Sequence, residues 1–346
     1  MANILYGVNG EGSGHSSRAR EVIAHLEEVG HRVHVASFDR GYRNLKDDFD
    51  VTEIDGLRLA YVENRVRYRK TVLSNLLHLP KTARTVRDLE KKAADWQLDL
   101  VITDYEPITC HVGHKLKLPI IAIDNQHLLT DADITYPREC RKEAAAAKLV
   151  TRLMTPRADA YLVISFFKAR LKKKTTFLFP PILRAEVLRT RPTEADAVLV
   201  YVTSKASDLL PVLRLVRQKF ICYGFDREGT EGNLDFRRPS LDGFLRDLAN
   251  CRAIVANAGF SLISEALYLG KPYLAWPVKR QFEQVFNAYH IGQMGYGAYW
   301  DDLNKERAES FLFNLESYRE KLATYERADN SALFTKLDEL IAGFTR

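Results

Sequence analysis

The chain has 346 residues, enough for two domains of ordinary size. Hydrophobic residues make up 46% and charged residues 28%, the balance of a globular protein rather than of a disordered or fibrous one. A net charge of +6 is too small for this length to mark a nucleic-acid binder, and the lack of any run of about 18 apolar residues argues against a membrane-spanning helix.

The opening "NILYGVN" reads as a buried strand, not as a basic and apolar leader, so the expected location is the cytoplasm. The scattered Cys110, Cys140, Cys222 and Cys251 fit reduced thiols there. "GEGSGHSSR" follows at 10–18, and then an amphipathic helix over 16–29 and a second strand, "HRVHVASF". A strand, a glycine-rich turn and a helix bring backbone N–H groups to a bound anion or substrate. The turn does not fit a dinucleotide fingerprint: after Gly10 and Gly12 the third glycine falls on His15, and Glu11 would repel a pyrophosphate, although Asp39 could mimic the ribose-binding acid. The alternative is that Gly12 and Gly14 bring the backbone close to a substrate and present His15, whose neutral ring accepts a proton near neutral pH. A plain capping role for His15 stays open, as Ser16 and Ser17 could also cap the helix.

Two basic clusters, "NRVRYRKT" (64–71) and "KARLKKKT" (168–175), read as solvated faces or as attraction to an anionic lipid layer. The first runs into the apolar "VLSNLLHL" of a helix predicted over 71–96, so 64–80 is a candidate for peripheral contact at the inner face of a membrane. "LDLVITD", "PIIAID" and "AYLVIS" are short buried strands, with a helix over 137–155 before the last. Asp104 and Asp124 end two of these strands, where sites gather in open α/β sheets, and either could orient His15; His127 also lies at a strand end. The proline-bearing 176–196 reads as a linker. The alternation then restarts with "AVLVYVT", a helix near 207–218, "KFICYGF", "RAIVANAG", a helix from about 260, and "PYLAWPV". The expected class is α/β, with two halves that each form an open, doubly wound parallel sheet.

The most informative stretch is 257–288, "NAGFSLISEALYLGKPYLAWPVKRQFEQVFNA". A strand ends near Asn257, Ala258-Gly259 turns tightly, and a helix start after Gly259 offers free N–H groups to a diphosphate. This block resembles the GT-B nucleotide-sugar glycosyltransferases, in particular the branch holding the UDP-glycosyltransferases and the peptidoglycan GlcNAc transferase. The shared pattern runs Ala258-Gly259, Glu265, Gly270-Lys271-Pro272, Glu283-Gln284 and Asn287-Ala288. The first loop is similar to that of a group of bacterial and archaeal glycosyltransferases that begin G-E-G-x-G-H-x-x-R. One departure is Asn257, where many members carry a phosphate-touching His.

The resemblance implies a GT-B fold with an acceptor-binding domain over 1–184, a donor-binding domain over 185–325, and a terminal helix within 326–346 that packs back on the first domain. It implies an inverting transfer of a hexosyl or N-acetylhexosaminyl group from a UDP-linked sugar to a hydroxyl acceptor, such as a cell-envelope glycan or lipid. His15 would be the base and Asp104 its orienting acid. Gly259, Phe260 and Ser261 would surround the diphosphate, with Asn257 and Ser204 in reach, and an ordinary turn at Thr203-Ser204 stays open. Glu265 would bind the ribose, Leu241 would read the base through its backbone, and Glu283 and Gln284 would contact the sugar. No cofactor, metal or nucleic acid is expected. A UDP-sugar 2-epimerase and a non-catalytic nucleotide-sugar-binding protein are the alternatives.

Overall fold

A computed structural model describes residues 1–56, 61–62, 65–66, 83–202, 209–238, 240–278 and 281–345; of 61–62, 65–66 and 241 only the backbone is described. The basic and apolar candidate at 64–80 falls almost wholly outside these residues, and so does the Thr203-Ser204 turn.

Short runs of β-branched and aliphatic residues make two seven-stranded sheets. The first has the order Thr176–Phe179, Ala160–Ile164, Ile120–Asp124, Leu100–Asp104, Asn3–Val8, Arg32–Ser37, Val51–Glu53, all parallel. The second has the order Gly229–Glu231, Leu234–Arg237, Phe220–Tyr223, Val198–Tyr201, Ala253–Ala256, Tyr273–Ala275, Gly297–Tyr299, parallel except for its first strand. Leu100–Asp104, Ile120–Asp124 and Ala160–Ile164 are buried at every residue, as expected of strands covered on both faces. In each sheet the chain reverses its direction of strand addition once. The first reversal lies between Asn3–Val8 and Leu100–Asp104, the second between Val198–Tyr201 and Ala253–Ala256. Crevices at the carboxyl ends of such strand pairs are where ligands bind in open α/β sheets.

Two stretches differ from the sequence reading. Thr176–Phe179, taken as linker, is an edge strand parallel to Ala160–Ile164. Four residues before a double proline are too few to show periodicity, and an edge strand needs only one partner. The antiparallel pair Gly229–Glu231 and Leu234–Arg237 lies where no strand was expected. The expected helix over 71–96 is seen from residue 83, and the one over 137–155 as a short 3₁₀ turn followed by Arg141–Met154.

One hydrophobic cluster runs through both units, joining Tyr6, Leu128 and Phe167 to Phe260, Phe286 and Ile291. Phe167 lies face to face with His290 at 3.8 Å between ring centres. The last helix, Ser331–Phe344, sits against the first unit: Phe334 stacks on His25, and His25 Nε2 is 3.0 Å from Asp338. No helix among the described residues is long and apolar enough to cross a membrane.

Candidate active site

The first strand ends at Val8, which is in register with Asp104 on the neighbouring strand. Asn9 N–H donates to the Asp104 carbonyl across that reversal, and the Asn9 side-chain amide donates to the carbonyl of Tyr105. Gly12 then turns the chain at φ +78°, a conformation that favours glycine. The helix Gly14–Glu28 starts with no side-chain cap from Ser13, so its first N–H groups stay available.

On the other side, Asp104 is held by a tight turn. Tyr105 adopts φ +55°, which is costly for a bulky residue and marks a position fixed by its surroundings. The buried Glu106 carboxylate accepts from the N–H groups of Ile108 and Thr109 and so caps the helix Pro107–Leu116. Burial lifts the pKa of Glu106 above the usual carboxylate value.

These two loops bring together residues 89 positions apart. His15 Nδ1 lies 2.7 Å from Asp104 Oδ1. A carboxylate only accepts, so this bond needs the proton on Nδ1 and leaves the Nε2 lone pair free to accept. Asp104 is fully buried, while His15 keeps 14% of its side-chain surface. Burial by itself would raise the Asp104 pKa, but Arg18 first and His15 second hold it below the ordinary carboxylate value. Arg18 donates from Nε to Oδ2 at 2.7 Å and from Nη2 to Oδ1 at 2.5 Å. Asp124, the other candidate, is engaged elsewhere: its Oδ2 lies 2.7 Å from His127 Nδ1. Burial disfavours the imidazolium of His127, yet Asp124 raises its pKa overall.

In the second unit the chain leaves Ala253–Ala256 through Asn257, Ala258 and Gly259 into the helix Phe260–Tyr268. Asn257 N–H donates to Tyr201 across the second reversal, and its side chain donates to the Trp276 carbonyl. Asn287 Nδ2 donates to the Ala258 carbonyl at 3.0 Å and fixes the turn. Gly259 supplies no side-chain cap, so this helix also opens with free N–H groups. The two corners nearly touch: a Cβ on Gly14 would lie 2.6 Å from Ser261 Oγ.

Around the second corner, Gln284 Oε1 accepts from Val278 N–H. Glu283 reaches into the first unit, where Asn125 Nδ2 donates to its Oε1 at 3.0 Å and Gln126 Nε2 approaches Oε2 at 3.5 Å. A small cavity beside this bridge is lined by Phe166, Phe167, Phe260 and Phe286 together with Asn125, Gln126 and Glu283. Glu265 does not present a bare carboxylate: Arg184 grips it through Nε at 2.7 Å and Nη2 at 2.9 Å, with both side chains mostly buried. The backbone of Leu241 starts the helix Leu241–Asn250, which Ser240 caps.

Sequence reasoning gave no role to Arg18, although it ends the G-E-G-x-G-H-x-x-R start, and missed Asn125, Gln126 and Arg184. Arg18 sits three residues after His15 and so on the same helix face, a spacing that was legible. Arg184 fell in the stretch read as linker, where nothing pointed to Glu265.

A family model described as glycosyl transferase family 1 matches residues 2–316. Among solved structures, the chain is similar to CalG4, the calicheamicin glycosyltransferase, with a TM-score of 0.69 at 14% identity over 99% of this chain and 98% of that one. It is similar to the glycosyltransferase SnogD from Streptomyces nogalater, with a TM-score of 0.64 at 16% identity over 98% and 99%. It is also similar to Phytolacca americana UGT2 complexed with UDP-2-fluoro-glucose and pterostilbene, with a TM-score of 0.69 at 13% identity over 99% of each chain. No curated protein sequence matches. These likenesses give a GT-B fold.

Proposed function

The chain belongs to glycosyl transferase family 1, and from that premise we propose that it moves a sugar from UDP to an acceptor hydroxyl with inversion at the anomeric carbon. The observation that carries this reading is the pairing of His15 with Asp104 at 2.7 Å, on a loop that meets the open helix start at Ser261. His15 Nε2 takes the acceptor proton as the hydroxyl oxygen bonds to the anomeric carbon. The bond from that carbon to the diphosphate breaks on the opposite face, and the electron pair leaves with UDP. Negative charge grows where the N–H groups of Gly259, Phe260 and Ser261 converge, so the helix stabilises the transition state more than the ground state. Asn257 flanks the diphosphate from the turn before this helix, and Ser204, outside the described residues, is a further candidate for that contact. Leu241 reads the base through its backbone, Glu265 takes the ribose hydroxyls beside Arg184, and Glu283 and Gln284 take the sugar hydroxyls. The acceptor is a glycan, lipid or small molecule with a free hydroxyl, and no metal or cofactor takes part.

The test is incubation with a panel of UDP-sugars and hydroxyl acceptors in excess EDTA, followed by NMR of the new anomeric centre. An inverted glycoside and released UDP are expected. Conversion of UDP-GlcNAc to its manno isomer without acceptor would reject transfer in favour of epimerisation. Binding without turnover across the panel would favour a sensor.

A further inference from the structure

We propose that Arg18 is a positioning residue for the Asp104–His15 pair, and that through Asn125 it ties the geometry of that pair to Glu283. This rests on the reading of His15 as base and Glu283 as a ligand of the donor sugar.

Arg18 is 5% exposed, and each of its three side-chain nitrogens donates into this network. Its Nε and Nη2 take both oxygens of Asp104, and its Nη1 donates to Asn125 Oδ1 at 3.1 Å. The same Asn125 donates from Nδ2 to Glu283 Oε1 at 3.0 Å. A continuous series of hydrogen bonds thus runs from Glu283 in the second unit through Asn125, Arg18 and Asp104 to His15 Nδ1 in the first.

Each link has a physical consequence. A carboxylate holding an imidazole by one oxygen can still rotate. A guanidinium fork on both oxygens fixes its plane, and with it the direction of the His15 ring. The fork also carries a charge: Arg18 Nη2 is 2.8 Å from His15 Nδ1, so a cation faces the ring as it gains a proton. Asn125 is shared. Sugar hydroxyls arriving at Glu283 compete for the oxygen that holds the Asn125 amide, and any shift of that amide is felt at Arg18 Nη1. Orientation of the base is thereby coupled to occupancy of the donor-sugar site.

The experiment measures kcat, donor KM and the pH dependence of kcat for Arg18→Lys, Arg18→Met, Asn125→Ala and Glu283→Gln, with His15→Ala as control. The groups that face His15 are Asp104 and Arg18, with Tyr105 stacked beyond them; Arg18 in turn faces Asp124 and Tyr6. Arg18→Met removes the cation, so the acidic limb of kcat moves to higher pH and kcat falls about tenfold or more. Arg18→Lys keeps a charge but cannot grip both oxygens, so it lowers kcat with a smaller movement of the limb. Asn125→Ala lowers kcat about threefold to tenfold, and combining it with Arg18→Lys costs less than the product of the two losses. Arg18→Lys with Glu283→Gln behaves likewise, although these two side chains do not touch.

Variants that lose only thermal stability, with kcat and its acidic limb unmoved, would overturn the proposal, and so would losses that multiply. Should Arg18→Met not fold, the cycle of Arg18→Lys with Asn125→Ala decides alone. If His15→Ala stays active, the base assignment itself has failed. If His15→Ala is inactive while the Arg18 and Asn125 variants are normal, only the coupling has failed.

Discussion

The two corners of the cleft are built alike but present different groups. Each follows a strand beside a chain reversal. Each opens with an asparagine whose N–H crosses to the neighbouring strand, and each feeds a helix that no side chain caps. The first corner takes five residues, Asn9 to Ser13, and delivers a ring held by a buried carboxylate. The second takes three, Asn257 to Gly259, and delivers an apolar helix with a free amino end. The longer loop makes room for a side chain to act, while the shorter one brings backbone N–H groups close. On the proposed function, the same architecture serves proton transfer at one corner and charge stabilisation at the other.

The sharpest way to break that division is to delete one chemical group from each corner. His15→Ala is expected to lower kcat about 10²- to 10⁴-fold and leave the thermal shift on adding UDP intact. Ser261→Ala is expected to raise donor KM severalfold with a lesser effect on kcat. Steady-state kinetics and a UDP melting titration on both variants decide it. If His15→Ala loses UDP binding, the first corner is not confined to proton transfer.

The second corner depends on a pair that the sequence did not reveal. Glu265→Ala leaves Arg184 mostly buried without the carboxylate that holds it by two hydrogen bonds, and breaking such a pair costs about 3 kcal/mol. A large fall in Tm is expected together with loss of the UDP-induced shift. Glu265→Gln keeps the shape and should lose UDP affinity with a smaller fall in Tm. If Glu265→Ala melts like the wild type, Arg184 contributes nothing to the fold.

What could be read from sequence followed the range of each interaction. The buried strands and the Gly259 corner lie in contiguous residues whose patterns carry their own signal. His15 and Asp104 could each be nominated because both sit at a strand end or a loop, but their bond spans 89 positions and needed the sheet order to be known. Arg184 was hidden for the opposite reason. It lies just past an edge strand too short to show a period, so the whole stretch read as linker. The closure of Glu283 on Asn125 and Gln126 depends on how the two units meet, which no local pattern encodes.

That meeting is expected to weaken in acid. His290, on the helix Phe282–Met294 that carries Glu283, stacks on Phe167 and donates from Nε2 to the Thr135 carbonyl of the first unit. Burial lowers its pKa to about 4, with that carbonyl opposing the shift only in part. The unfolded chain therefore binds the proton first, and stability is complete above the unfolded value of about 6.5 and is lost as pH falls toward 4. The loss amounts to about 3 kcal/mol over that window. Urea unfolding of wild type and His290→Phe between pH 7 and 4.5 checks this. The wild type should weaken more steeply, and equal slopes would remove His290 as the cause.

The smallest change tests whether the corners must approach each other at all. Gly14→Ala puts a Cβ 2.6 Å from Ser261 Oγ, closer than side chains tolerate. The hydroxyl can swing aside, so the strain is about 1 kcal/mol, near the low end for overpacking. Alanine also favours a helix over glycine by about the same amount, so Tm should hardly move. The strain bears on closure, not on folding, and a kcat reduced about fivefold is expected. Removing the hydroxyl in the double variant Gly14→Ala with Ser261→Ala relieves the clash. The Gly14→Ala substitution should therefore be nearly silent in kcat when made on the Ser261→Ala background. If it costs the same there as in the wild type, the two loops do not need to touch, and proximity of the base to the leaving diphosphate must be set elsewhere in the cleft.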